Sequence, residues 1–162
     1  MNRVYLSLGS NISNPLTQLK NAINKIKHIK DAQVIIQSPL YYSPPYGPIK
    51  QPYFLNIAIA IETYLTADIF LDQIQNIEKE QGRVRKTDRW GPRTLDIDIM
   101  LFGKQILNTP RLTLPHYDMH NRAFMLLPLF DIAPNLYLPD GRRLSNLLAS
   151  LDERIIKNVI KC

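Results

Sequence analysis

Two hydrophobic periods alternate along this chain, and their order predicts its elements. Arg3-Val4-Tyr5-Leu6-Ser7-Leu8 alternates with period two and runs into Gly9-Ser10-Asn11, which predicts a strand ending in a turn. The period then lengthens: Asn14 is suited to cap a helix, Pro15 to its first position, and Leu16, Leu19, Ile23 and Ile26 recur every three or four residues. Ala32–Gln37, with the β-branched run Val34-Ile35-Ile36, predicts a second strand. Its expected partner, Phe54–Thr63, sets Leu55, Ile57, Ile59 and Ile61 on one face and Asn56, Ala58, Ala60 and Glu62 on the other.

Residues 39–52 hold five prolines, one glycine and three tyrosines, too proline-rich for regular structure, so they read as a long surface loop. Thr66 is placed to cap a second helix, Asp68 suits its first turn, and Phe70 or Leu71, Ile74 and Ile77 form an apolar stripe up to Gly82. A basic loop, 83–93, leads into a strand over 94–102, where Leu95, Ile97, Ile99 and Leu101 alternate with Asp96, Asp98, Met100 and Phe102. Strand, helix, strand, strand, helix, strand is the split βαβ order of the ferredoxin-like fold. Gly103-Lys104 then predicts a hairpin turn into Gln105-Ile106-Leu107, residues 123–131 a short helix, and Pro139-Asp140-Gly141 a turn before a last helix. The expected fold is α+β: a ferredoxin-like βαββαβ core with an extra C-terminal hairpin and short helices, in one domain over 1–162, with no internal repeat or linker.

At 162 residues, 45% of them hydrophobic, the chain can bury its own core without disulfides or structural metal. The one cysteine, Cys162, has no partner for an intrachain disulfide or a cysteine-based metal site, which argues against thiol chemistry. Met1-Asn2-Arg3-Val4 shows no signal-peptide pattern, and no apolar run approaches the roughly 20 residues of a spanning helix, so a cytoplasmic protein without a membrane partner is expected. The formal charge of +6 favours anionic partners, but nucleic acid, nucleotide and acidic membrane would all satisfy it. The arginines are more selective, since six of the ten fall between Arg83 and Arg122.

Asp96 and Asp98, two apart on a strand, point to one face with α-carbons roughly 6 to 7 Å apart, so both can reach one site. Paired carboxylates repel unless solvent or a cation intervenes, and hard oxygen ligands suit Mg²⁺; two ions about 3.5 to 4 Å apart would fit between them. The plain alternative is a solvated sheet face on which Asp merely supplies polar alternation, although Asp is poorly suited to strand interiors. Directly before the strand, residues 83–93 hold four arginines and one lysine, and the guanidinium fork matches phosphate oxygens. Trp90 within this run can stack on a base or pack against the core.

Arg111, His116 and Arg122 extend the cationic supply, and His116 can donate to phosphate or move a proton; His28 and His120 read as surface residues. None of the six glycines forms a Walker loop or dinucleotide fingerprint, so phosphate binding would rest on side chains and metal. Phosphoryl-type transfer from a Mg²⁺-bound nucleotide fits this set best. A γ-phosphoryl kinase, a metal-dependent nuclease and a small RNA- or DNA-binding module stay open, the last disfavoured because Asp96 and Asp98 stand where an RNA-binding sheet carries aromatics.

Arg89-Trp90-Gly91-Pro92-Arg93-Thr94-Leu95-Asp96-Ile97-Asp98-Ile99-Met100-Leu101 resembles the signature of the 6-hydroxymethyl-7,8-dihydropterin pyrophosphokinase family. Leu8-Gly9-Ser10-Asn11, Ser43-Pro44-Pro45-Tyr46-Gly47-Pro48, Phe54-Leu55-Asn56, Gln81-Gly82-Arg83-Val84-Arg85 and Pro115-His116-Tyr117 resemble further family segments in order, weakening only after Asp140. The resemblance implies a ferredoxin-like core and transfer of pyrophosphate from ATP to the hydroxymethyl group of the pterin, giving AMP, in folate biosynthesis. A monomer with no nucleic-acid partner is expected. Carried over by position, Asp96 and Asp98 would bind two Mg²⁺. Gln75, Glu78, Arg85, Trp90, Arg93, Ile99, Arg111, Leu112, Thr113, His116, Tyr117 and Arg122 would surround ATP, and Arg83 and Arg93 would lie near the transferred group.

For the pterin, the resemblance implies a hydrogen bond from Asn56, stacking between Phe54 and Phe124, and an edge completed near Ser43, Pro44 and Tyr46. Phe54 stands where some relatives carry tyrosine, which keeps the stacking and removes a hydroxyl; Tyr46 stands where smaller aliphatics are common. The loops at 39–52 and 83–93 would close over both substrates and exclude water.

Overall fold

Period-two alternation builds the centre of the molecule. In chain order the elements are β1 (Asn2–Ser10), α1 (Pro15–Lys27), β2 (Ala32–Gln37), β3 (Tyr41–Ser43), β4 (Phe54–Thr63), α2 (Ala67–Glu80), β5 (Asp96–Phe102), β6 (Leu107–Asn108), β7 (Thr113–Leu114), a 3₁₀ turn (Met119–Asn121), α3 (Ala123–Ile132), α4 (Leu144–Ala149), α5 (Glu153–Lys157) and β8 (Ile160–Lys161). The computed structural model describes residues 1–82 and 91–162. Arg83, Arg85 and Trp90 lie outside the described residues.

Val4, Leu6 and Leu8 of β1, Ile57, Ile59 and Ile61 of β4, and Ile97 and Ile99 of β5 share one face and form a buried cluster. α1 and α2 cover that face with the apolar stripes their three- and four-residue spacing creates: Leu19, Ala22, Ile23 and Ile26 from one, Phe70, Leu71, Ile74 and Ile77 from the other. The result is an α+β domain on an antiparallel sheet of order β5–β1–β4–β3–β8, with β2 also paired to β4. The second face is covered in part by α3, whose Met125, Leu126 and Leu129 pack on Ala58, Met100 and Leu101. The small side chains of Ala58 and Ala60 let this helix approach β4 closely.

Several expectations are corrected. β1 continues through Gly9 and Ser10, opposite Asn56 and Leu55, where a turn was expected, because the glycine leaves room for Asn56 beneath it. Asn14 precedes α1 in the left-handed region (φ 65°) and makes no side-chain cap; Asn tolerates this conformation, and its carbonyl accepts the Gln18 N–H at 3.0 Å. Thr66, in contrast, caps α2 as expected, accepting from the Ile69 N–H at 3.4 Å. The proline-rich stretch contains a strand, β3, flanked by Pro39 and Pro44.

In β5 the pairing with β1 shifts between Tyr5 and Leu6, so Met100 is an extra residue and the facing inverts: Phe102 joins the helix-covered core while Leu101 joins the α3 cluster. Gly103-Lys104 turns the chain, but residues 107–108 pair with β7 rather than folding back on β5. The closing turn is Thr109-Pro110-Arg111-Leu112, where Thr109 N–H reaches the Leu112 carbonyl at 3.0 Å and Pro110 occupies the second position. After Gly141 there are two short helices, divided where Asp152 accepts the Arg154 N–H at 2.8 Å and starts α5.

Candidate active site

The half of the second face that α3 leaves open forms the floor of a cavity of about 200 Å³. Strand register assembles that floor: Ser7 of β1 lies opposite Asp98, and Gly9 lies between Asp96 on β5 and Asn56 on β4. Ser43, Pro44, Tyr46, Phe54, Gly91, Arg93, His116, Tyr117, Arg122 and Phe124 complete the lining, and the Tyr46 ring packs edge-on to Phe124 with centroids 5.9 Å apart. Asn56 is only 3% exposed, and its side-chain oxygen accepts from the buried Ser43 hydroxyl, which orients the amide in advance. A Cβ on Gly9 would sit 3.0 Å from Asn56 Nδ2. Gly9→Ala is therefore expected to push the amide aside and raise the KM of whatever Asn56 binds by about tenfold, with thermal stability little changed; steady-state kinetics and a melting curve check this.

A second cavity, about 270 Å³, lies against β5 and the β6–β7 turn and is lined by Leu71, Gln75, Ile97, Asp98, Ile99, Thr109, Pro110, Arg111, Leu112, Thr113, His116 and Tyr117. Seven of these, Gln75, Ile99, Arg111, Leu112, Thr113, His116 and Tyr117, are residues expected around a nucleotide. Both cavities are bounded by Asp98, His116 and Tyr117. His116 is held by its own N–H, which donates to the Met100 carbonyl at 3.0 Å, and its ring stacks on Tyr117 with centroids 4.8 Å apart. Nδ1 accepts the Asp118 N–H at 3.1 Å, so the proton of the neutral ring belongs on Nε2, which faces Asp98 Oδ1 at 3.8 Å. Arg111 Nη2 meets Asp72 Oδ1 of α2 at 2.6 Å beside the second cavity.

Arg122 is fixed by a network that sequence reading did not find. Its Nε donates to Asp118 Oδ2 at 2.9 Å and Nη2 to the Tyr117 hydroxyl at 3.3 Å, and its guanidinium carbon lies 5.0 Å from the Tyr46 ring centre and 5.8 Å from that of Phe124. Tyr46 donates to the same Asp118 oxygen at 3.1 Å, tying the proline-rich loop to the 3₁₀ turn. Burial pushes the Asp118 carboxyl up, but hydrogen bonds from Asn121 and Arg122 outweigh it and hold it below the usual carboxylate range. Arg122 thus keeps an anionic partner while facing the cavity.

Asn11, read as part of a turn, joins three segments: its Oδ1 accepts the Arg93 N–H at 2.9 Å, and its Nδ2 donates to Gln51 Oε1 and the Pro52 carbonyl, both at 2.9 Å. Arg93 in turn donates from Nη1 to the Gly91 carbonyl at 2.9 Å and lines the first cavity. Glu78 borders neither cavity among the described residues; it is 1% exposed and accepts the Ile97 N–H at 2.8 Å, buttressing β5 beneath Asp98. Ser7 and Gly9 could have been anticipated from the alternation of β1, which sends them to the face opposite Leu6 and Leu8. Asp118 and Asp72 carry no pattern of their own.

Residues 5–134 match the family model described as 7,8-dihydro-6-hydroxymethylpterin-pyrophosphokinase (HPPK). A Pseudomonas aeruginosa protein named 2-amino-4-hydroxy-6-hydroxymethyldihydropteridine pyrophosphokinase is 52% identical over 148 residues, 91% of this chain and 91% of its own. One of the same name from Haemophilus influenzae is 46% identical over 154 residues, 94% of this chain and 96% of its own. The crystal structure of wild-type Plasmodium falciparum HPPK-DHPS with SDX-DHP is similar in fold, with a TM-score of 0.73 at 16% identity over 99% of this chain, which spans 47% of that longer one. The two cavities and their shared aspartate therefore sit in a chain that belongs to the HPPK family.

Proposed function

We propose that this protein transfers pyrophosphate from ATP to the hydroxymethyl group of 6-hydroxymethyl-7,8-dihydropterin, releasing AMP, as the names of its relatives indicate. The observation that carries the reading to these residues is the pair of cavities meeting at Asp98, His116 and Tyr117. One is lined by a pre-oriented amide together with Phe54 and Phe124 and suits a flat heterocycle with an amide-like edge; the other is bordered by Arg111 and suits a nucleotide. A reactive hydroxyl from the first would meet a phosphate chain from the second at Asp98. The domain is read as one pterin pyrophosphokinase unit over 1–162. The sheet order β5–β1–β4–β2 with α1 and α2 on one face supports a ferredoxin-like core.

The donor set fits Mg²⁺. Asp96 and Asp98 offer hard carboxylate oxygens from one strand face into one cavity, and the described residues group no three His, Cys, Asp or Glu side chains as a closed metal cage. Mg²⁺ is commonly held by one or two carboxylates, with water and substrate phosphates completing its shell. Two bound ions would neutralise the triphosphate and the charge that gathers on it during transfer.

In-line attack forms a bond from the hydroxymethyl oxygen to the β-phosphorus and breaks the bond from that phosphorus to the oxygen bridging it to the α-phosphorus, which leaves on AMP; the hydroxyl proton passes to solvent water. The chain's own part is positioning and charge. Asn56 fixes the ring edge, Phe54 and Phe124 its faces, and Ser43, Pro44 and Tyr46 its rim. Arg122 and Arg93 face the phosphate path, with Arg83 assigned there by family position; His116 presents Nε2–H toward it, while Gln75, Arg111, Leu112, Thr113, Ile99 and Tyr117 hold the nucleotide. Arg85 and Trp90 are assigned to the nucleotide by family position, and Glu78 acts through Ile97.

A monomer in the cytoplasm without nucleic-acid partner fits this reading; among the described residues no helix is long and apolar enough to cross a membrane. Incubation with ATP, Mg²⁺ and the hydroxymethyl-dihydropterin should yield AMP only when the pterin is present. ADP as the product would instead assign γ-phosphoryl transfer to the same site.

A further inference from the structure

The last strand, β8, lies outside the residues 5–134 that match the family model, yet it pairs with β3, whose Ser43 lines the acceptor cavity. It pairs antiparallel with β3, Tyr41 opposite Lys161 and Tyr42 opposite Ile160, and the Cys162 N–H donates to the Leu40 carbonyl at 2.9 Å. β3 is three residues long, and its other neighbour is β4, where Tyr41 lies opposite Asn56 and Ser43 opposite Phe54. A strand so short draws much of its order from what flanks it. β8 pairs with Tyr41 and Tyr42, and the residue that orients Asn56, Ser43, follows them directly in the same short strand.

A side-chain bridge runs parallel to this backbone ladder. Tyr41 is 4% exposed and donates its hydroxyl to Asp131 Oδ2; Asp131 Oδ1 faces Lys161 Nζ at 3.4 Å, and that ammonium lies 5.7 Å from the Tyr41 ring centre. Burial and the Asp131 hydrogen bond push the Tyr41 hydroxyl pKa up, which keeps it a donor at any ordinary pH. Asp131 belongs to α3, and the first turn of α3 carries Phe124. β3 and α3 therefore each supply lining to one cavity, Ser43 and Phe124, and Lys161 with Tyr41 and Asp131 joins the two elements.

We propose that β8, through Lys161 and its pairing with β3, is a positioning element for the acceptor: it sets the spacing between the Ser43–Asn56 pair and Phe124 while touching neither substrate. The exposed ion pair alone contributes little, since such pairs are worth about 0 to 1 kcal/mol; the effect comes from ladder and bridge acting on one short strand. The inference rests on the assignment of this cavity to the pterin.

The test removes residues 160–162, and separately makes Lys161→Met, Lys161→Arg and Tyr41→Phe in the full chain. Truncation should raise the acceptor KM about tenfold while kcat and the ATP KM stay within about twofold. Tyr41→Phe and Lys161→Met should shift the acceptor KM alone in the same sense, by about threefold, and Lys161→Arg should stay near the parent. Equal rises in both KM values, or an unchanged acceptor KM in the truncated chain, would overturn the proposal. If the truncated chain does not fold, the Tyr41→Phe and Lys161→Met kinetics decide in its place. Amide exchange without substrates separates this inference from the substrate assignment: Ser43 and Asn56 should exchange about tenfold faster in the truncated chain while α2 is unaffected. An unchanged exchange pattern sinks the positioning role of β8 even if AMP is formed, whereas a parent protein that forms no AMP sinks only the pterin reading.

Discussion

Asp98→Ala is expected to lower kcat for AMP formation by about 10³-fold, equivalent to roughly 4 kcal/mol of transition-state stabilisation. Among the described residues Asp98 is the one carboxylate that borders both cavities, and His116 Nε2 stands 3.8 Å from it. The register of β5 against β1 fixes it opposite Ser7, while Ile97 and Ile99 on either side point into the core. The fold should survive, since removing one of two like charges from a single strand face relieves repulsion rather than creating a cavity. Asp98→Asn keeps the shape and should lose nearly as much, which distinguishes lost charge from lost packing; Asp96→Ala should also lose several kcal/mol. Single-turnover kinetics with a melting curve for each variant is the measurement. Near-parent turnover in either alanine variant would remove the metal assignment.

Asn56→Ala should lower kcat/KM for the pterin by about 10² to 10³-fold and leave the nucleotide KM unchanged, because a site built to pair a substrate's polar edge discriminates far more than an apolar one. The same change strips the buried Ser43 hydroxyl of its acceptor, so a stability loss of about 1 to 3 kcal/mol accompanies it. Adding Ser43→Ala should return part of that stability and none of the activity, a pattern that separates recognition from folding. Isothermal titration with a non-reacting pterin reads the binding loss directly. An equal loss of nucleotide affinity would show that Asn56 supports the whole sheet end instead.

The central sheet was legible because Leu6, Leu8, Ile57, Ile59, Ile97 and Ile99 mark one face by period alone, and the same period sends Asn56, Asp96 and Asp98 to the other. What stayed hidden depends on partners remote in sequence. Nothing within Tyr41–Ser43 distinguishes a strand from the surrounding proline loop; its pairing comes from Phe54–Asn56 and from Lys161. The bulge at Met100 leaves no local mark either, since Leu101 and Phe102 are equally apolar and only the pairing with Tyr5 and Val4 assigns their faces. Asp118 is an ordinary loop carboxylate until the fold brings Tyr46 and Arg122 to it. The grouping of Gln75, Arg111 and Thr113 came from family resemblance, not from any spacing.

Asp98, His116 and Tyr117 line both cavities, so ligands bound in the two would be thermodynamically linked wherever one shifts these side chains. Whatever factor a bound nucleotide imposes on pterin affinity by moving these side chains, the pterin must return on nucleotide affinity in equal measure. An inhibitor aimed at the acceptor cavity is thus ranked by two quantities, its own contacts and its share of that reciprocity, and a screen against the protein without nucleotide reads only the first.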